Sequence, residues 1–241
     1  RLAIDHDGGI RVLWVDNPGM PRALFFARLG SEGQLLTDPL RLSLEGVRIS
    51  EYDLAPDGND GLDIFWATES APDGGLYHLR LSKEDQLTSE NRLLIRDGEE
   101  PTVQTSSDGM VHLAWVERRT LRDNYVYYAL FNPLTADLGV PTQVGLYRTA
   151  TGLVSYPPVL GLDQKTVYLL WASEQRGGGL SPGEAQTFVV SFPVNSPQFN
   201  EPVTVDIPSH ARPEYHVASG GLPYEQLASA TAGWPTSFLY M

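Results

Sequence analysis

The chain contains no cysteine, so disulfide cross-links, thiolate metal sites and a cysteine nucleophile are excluded. No apolar run approaches the ~20 residues that a helix needs to cross a bilayer. Lysine is nearly absent: of 17 basic residues only Lys83 and Lys165 are lysines, and the arginines form no run longer than Arg118-Arg119. Against 30 acidic side chains this leaves a formal charge of −13. Nucleic acid and anionic lipid are bound by clustered cations, so neither is an expected partner. The sequence opens on Arg1 with no initiator Met and no signal peptide, the pattern of a processed protein or an excised piece.

What is present points to one architecture. With 41% hydrophobic and 10% aromatic residues and 23 glycines in 241, the chain is neither disordered nor collagen-like. Its length allows two ordinary domains or one large all-β domain. The tryptophans decide between them. Trp14, Trp66, Trp115 and Trp171 follow one another at intervals of 52, 49 and 56 residues. Each closes an apolar run entered from a turn, as in Asp60-Gly61-Leu62-Asp63-Ile64-Phe65-Trp66 and Asp108-Gly109-Met110-Val111-His112-Leu113-Ala114-Trp115. These are strand signals after tight Asp-Gly turns.

A second apolar run follows each tryptophan, such as Leu76-Tyr77-His78-Leu79-Arg80-Leu81. An apolar residue then stands six or seven positions on, at Leu35, Leu87, Leu138 and Phe199. A short closing segment ends each unit, and another short segment precedes each Asp-Gly turn. Four antiparallel strands in about 50 residues, repeated, predict a β-propeller with four blades near residues 1–46, 47–99, 100–149 and 150–206. A four-stranded sheet cannot cover both its faces, so blades must stack, and the four tryptophans are expected in the core between them. Residues 207–241 carry a decayed version of the pattern, read as a partial fifth blade or a linker, with a membrane anchor beyond Met241 as one continuation.

The turn-and-strand pattern, clearest in residues 107–117, resembles the blades of sialidase-like β-propellers of bacterial exported proteins. The likeness spans residues 1 to about 206 and implies a propeller fold in an extracellular, cell-surface or periplasmic setting. Sialidase blades carry an Asp-box, Ser-x-Asp-x-Gly-x-Thr-Trp, between strands three and four. Here those turns read Gly30-Ser31-Glu32-Gly33-Gln34 and Ser82-Lys83-Glu84-Asp85-Gln86, without the tryptophan, and no position matches the sialidase arginine triad or tyrosine nucleophile.

Other candidates come from the residues themselves. Asp16, Glu69, Glu117 and Glu174 lie two or three positions past the repeating tryptophans. A radial arrangement puts them at one height, where a pair of carboxylates about 5–10 Å apart would suit glycoside cleavage; the repeat alone also generates such a pattern on a solvated strand end. Asp57, Asn59 and Asp60, in Asp57-Gly58-Asn59-Asp60-Gly61, loosely resemble an oxygen-rich Ca²⁺ loop, although tight turns demand the same residues. No other cofactor is expected. The histidines lack metal spacing, and His78 and His112 occupy strand positions suited to structural roles. Gly177-Gly178-Gly179 reads as a hairpin tip, and its neighbour Arg176, together with Tyr156, is a candidate ligand contact. The leading expectation is a non-catalytic module that binds a protein or glycan as part of a larger assembly. The alternative is a propeller-fold glycoside hydrolase or lyase using paired carboxylates.

Overall fold

The computed structural model describes residues 1–5, 8–16, 22–68, 74–119, 124–147, 158–174, 185–196, 198, 199 and 201–205. Glu69, Tyr156, Arg176, the glycine triplet and residues 207–241 lie outside them.

Four antiparallel sheets follow one another along the chain, each a simple meander. The first holds β1 (Leu2–Ile4), β2 (Ile10–Asp16), β3 (Ala23–Leu29) and β4 (Leu40–Arg41). The second holds β5 (Ile49–Pro56), β6 (Leu62–Thr68), β7 (Gly75–Leu81) and β8 (Arg92–Arg96). β9 (Gly98–Thr105), β10 (Val111–Arg118), β11 (Asn124–Asn132) and β12 (Asp137–Leu138) form the third, where β13 (Thr142–Tyr147) also pairs with β11. The fourth holds β14 (Val159–Leu162), β15 (Thr166–Glu174), β16 (Ala185–Pro193) and β17 (Val203–Val205). This is an all-β, propeller-like fold, as the repeat predicted. The first strands of successive blades lie beside one another, β1 by β5, β5 by β9 and β9 by β14, and so gather at the centre.

Each β1–β2-type turn is closed by the sequence signal that announced it. In blade three the Ser106 amide bonds the Met110 carbonyl at 2.9 Å, and Gly109 takes φ +83°, a left-handed conformation that glycine adopts without steric cost. Antiparallel pairing then sets each tryptophan opposite an aromatic neighbour. Trp14 faces Phe25, Trp66 Tyr77, Trp115 Tyr127 and Trp171 Phe188. All four pairs are stacked, with centroids 4.4–5.9 Å apart, and such pairs contribute about 0.5–1.5 kcal/mol each beyond burial.

Three cores lie between neighbouring blades. Leu13, Leu24 and Phe26 of blade one meet Ile64, Trp66 and Leu79 of blade two. Ala55, Phe65 and Leu76 meet Trp115, Ala129 and Phe131 of blade three. Val116, Val126 and Tyr128 meet Trp171, Val190 and Phe192 of blade four. The indole of each buried tryptophan thus turns toward the preceding blade. Its N–H is satisfied in each case: Trp66 Nε1 donates to Asn91 Oδ1 at 2.9 Å, Trp171 Nε1 to the Leu146 carbonyl at 3.1 Å, and Trp115 Nε1 to Glu117 Oε1 at a long 3.4 Å. Gly145 permits the Trp171 contact, since a Cβ there would collide with the indole ring.

Trp14 departs from the expected core position. It is only half-buried, on the sheet face it shares with Leu2, Ile4, Ile10, Val12 and Phe25, of which Leu2 and Ile4 are 67% and 73% exposed. The reason is directional: its face points toward a preceding blade, and no described residue supplies one.

Candidate functional site

Acidic residues enter the structure at two ends of the blades. At the end with the Asp-Gly turns they are bound to cations. Buried Asp63, the second residue of β6, meets Arg80 Nη1 at 2.6 Å and His78 Nε2 at 2.8 Å, and Arg80 also pairs with Asp57. Asp57 further accepts the amides of Asn59 and Gly61, both at 2.7 Å. In blade one Arg28 pairs with Asp5, and buried Arg11 reaches across to Asp85 at 3.1 Å and to the Asp60 and Lys83 carbonyls. A cleft of about 530 Å³ opens beside Arg80 and Pro133, but its charged walls are these mutually paired groups.

The other end is built differently. Where β5 begins, its pairing with β6 slips between Ile49 and Tyr52, so that Ser50 and Glu51 form a bulge. Where β9 begins, its pairing with β10 slips one position along from that place, opposite Trp115 itself, leaving Glu100 and Pro101 as the extra residues. Glu100 sits at φ +52°, a conformation that side-chain-bearing residues seldom adopt and that clusters at functional sites. Bulges re-aim side chains, and these two bring repeat-equivalent glutamates to one cleft. Its volume is about 240 Å³, and Arg22, Arg48, Ser50, Glu51, Glu99, Glu100 and Arg118 line it.

The groups around it differ in environment. Glu51 is open to solvent on one side, yet desolvation by the surrounding protein raises its pKa above the usual carboxylate range, against the pull of Arg1 and Arg22. Glu99 binds Arg118 at 2.7 Å, and Glu100 is buried. Behind them Asp53 bridges blades two and three, accepting the Val103 amide at 3.0 Å, and pairs with Arg1 at 3.2 Å; burial raises its pKa more than Arg1 lowers it. A carboxyl whose pKa is raised by desolvation, beside further carboxylates and guanidiniums, is suited to acid–base chemistry.

The sequence-derived candidates fall elsewhere. Asp16 is the exposed last residue of β2, and Glu174 ends β15. Glu117 accepts Arg119 at 2.7 Å on a strand end. Asp57 and Asp60 of the expected Ca²⁺ loop face Arg80 and Lys83, the latter at 3.4 Å, and Asn59 is exposed. Among the described residues no group of three or more His, Asp or Glu side chains is arranged to hold a metal, and no helix is long and apolar enough to cross a membrane. One signal for the cleft did exist in the sequence: Glu51 and Glu100 each stand fifteen residues ahead of the tryptophan of their blade. His78 and His112 are buried as expected, His112 Nδ1 lying 2.6 Å from the Tyr128 hydroxyl.

No family model and no curated protein matches this sequence. Solved structures do match its fold. A polysaccharide lyase, an ulvan lyase bound to -[GlcA(1-4)Rha3S]-, superposes with a TM-score of 0.55 at 13% identity, over 84% of this chain and 56% of that one. An endo-1,4-β-xylanase from Bacteroides thetaiotaomicron gives 0.54 at 10% identity, over 87% and 72%. An exo-β-1,3-galactanase from Phanerochaete chrysosporium, bound to β-1,3-galactotriose, gives 0.54 at 11%, over 88% and 50%. The chain therefore spans little more than half the length of the ulvan lyase. These likenesses correct two expectations. The sialidase-like assignment gives way to a propeller of the kind found in these lyases and glycosidases, consistent with strand-three turns that close on backbone bonds, Gly30 to Gln34 and Ser82 to Gln86, without an Asp-box tryptophan. The expected non-catalytic binding module finds no support among these likenesses either, since the solved structures named above are of carbohydrate-active enzymes.

Proposed function

We propose that the chain carries the catalytic cleft of an enzyme that cleaves glycosidic bonds, with Glu51 as proton donor and Glu100 as its partner carboxylate. The observation that carries this reading is that a bulge in each of two blades delivers repeat-equivalent glutamates to the same cleft. Glycoside hydrolysis needs one carboxyl group that still holds a proton and another that is ionised. Desolvation of Glu51 supplies the first. Its proton passes to the glycosidic oxygen as that bond breaks, while Glu100 takes a proton from the water that attacks the anomeric carbon. The fold shared with a polysaccharide lyase, a xylanase and a galactanase supports a glycan as substrate, and a polymeric glycan suits an enzyme working outside the cytoplasm.

The test is release of reducing ends from a panel of polysaccharides by the parent chain, Glu51→Gln and Glu100→Gln. Loss of acid or base catalysis lowers the rate by about 10²–10⁴-fold with an unchanged melting temperature. Because Glu51 must be protonated to act, the alkaline limb of the kcat/KM profile lies above the ordinary carboxylate range. Turnover at the parental rate in both variants overturns the assignment, as does a panel that stays intact throughout.

A further inference from the structure

The same cleft carries cations as well as carboxylates. Elsewhere among the described residues many of the cations sit on carboxylates, while Arg41 and Arg92 donate to the Leu44 and Ala136 carbonyls. Arg11 and Arg28 sit on Asp85 and Asp5, Arg80 on Asp57 and Asp63, Lys83 on Asp60, and Arg119 on Glu117. In the cleft Arg118 is likewise held by Glu99. Arg22 and Arg48 line the cleft too, and neither forms an ion pair among the described residues. The hydroxyl oxygen of Ser50, between Arg48 and Glu51 in the chain, is buried without a hydrogen-bond partner among the described residues. No aromatic ring lines the cleft, so among the described residues it lacks the flat apolar platform on which a neutral sugar ring stacks.

Two guanidiniums without an ion pair among the described residues and a buried hydroxyl oxygen without a hydrogen-bond partner there, in a cleft without a stacking surface, form a receptor for oxygen anions. A guanidinium presents paired N–H donors in a planar fork that matches a carboxylate or a sulfate. The lining holds as many glutamates as arginines and the chain of net charge −13 repels anions at long range, so an anion is held here through the short-range hydrogen bonds of the two guanidiniums. We infer that the glycan taken by this cleft is acidic, its carboxylate or sulfate ester held by Arg22 and Arg48 with Ser50 as an additional donor. This rests on the reading of the cleft as a glycan-cleaving site and adds the class of glycan.

The experiment measures calorimetric binding and turnover with four probes: ulvan oligosaccharides, their carboxyl-reduced form, their desulfated form, and neutral xylan oligosaccharides. The protein is used as the full chain. The parent binds ulvan oligosaccharides at least tenfold more tightly than xylan oligosaccharides, and the Arg22→Gln/Arg48→Gln double variant loses that margin, a charge-assisted hydrogen bond being worth about a tenfold change or more. Its melting temperature stays at the parental value, and Arg48→Lys, which keeps the charge but not the fork, falls between the two. The carboxyl-reduced and desulfated probes tell which anion is read: the one that binds as weakly as xylan has lost it. Equal binding of acidic and neutral probes, no binding of either, or a double variant that keeps the preference overturns the inference. Cleavage of xylan alone would sink it and leave the catalytic reading standing. Tight acidic binding without turnover of any probe would sustain it while the catalytic reading fails.

Discussion

The two ends of blades two and three use the same side chains to opposite purposes. At the Asp-Gly turn end, Asp63 is wholly buried between Arg80 and His78, and the charged groups find their partners within the protein. At the bulged end, Glu51 and Glu100 stand with Arg22 and Arg48 in a cleft where the pairing is incomplete. A charge network whose members all have partners holds strands together, and its loss is read in stability. One left partly open keeps its capacity for a substrate, and its loss is read in activity.

That contrast can be broken most directly at Asp63. Asp63→Asn strips His78 of its carboxylate and leaves Arg80 with Asp57 alone, and breaking a buried pair costs about 3–5 kcal/mol, measured by urea denaturation. A loss below about 1 kcal/mol would remove the turn end from the structural side of the comparison.

A second effect, of about 3 kcal/mol at most, comes from His112, the residue of blade three that corresponds to Asp63. Burial lowers its pKa from 6.5 to about 4, while the Tyr128 hydroxyl beside it is pushed upward by the same cause. The folded state sheds a proton that the unfolded chain binds. The contribution is therefore complete above about pH 6.5 and is lost as pH falls toward 4. Raised carboxyls such as Asp53 and Asp85 bend the curve the other way, so the measurement is the difference between parent and His112→Gln across that interval. A constant difference would mean that His112 titrates normally.

The smallest effect sharpens the contrast from the other side. Glu51→Gln shifts unfolding stability by less than about 1 kcal/mol, because the group is open to solvent and forms no buried pair. If it unfolded as readily as Asp63→Asn, the two ends would be equally structural.

Much of the fold was legible because burial repeats. A tight turn, an apolar run and a tryptophan recur wherever a blade must cover its neighbour, so Trp66, Trp115 and Trp171 lie where the spacing puts them. Periodicity does not tell which face goes without a covering blade among the described residues, and there Trp14 is half-buried. The same limit hid the cleft. Asp16 and Glu117 caught attention because they trail the tryptophan, but a regular strand end carries them to its own edge. Glu51 and Glu100 depend on bulges, and one extra residue in a pairing ladder changes the direction of a side chain without leaving a mark in hydropathy. The carboxylates of the expected Ca²⁺ loop were recognisable, whereas the long-range partners that occupy them, Arg80 and Lys83, were not.

The orientation of the indoles has one more consequence. Because each buried tryptophan turns toward the blade before it, every contact between blades joins two unlike surfaces, the head of one unit to the tail of the next. Contacts of this heterologous kind cannot be satisfied by a two-fold pair of identical faces; they are completed by closing a circle, or else continue as an open series. Among the described residues, the face of Trp14 is the unmatched head of that series.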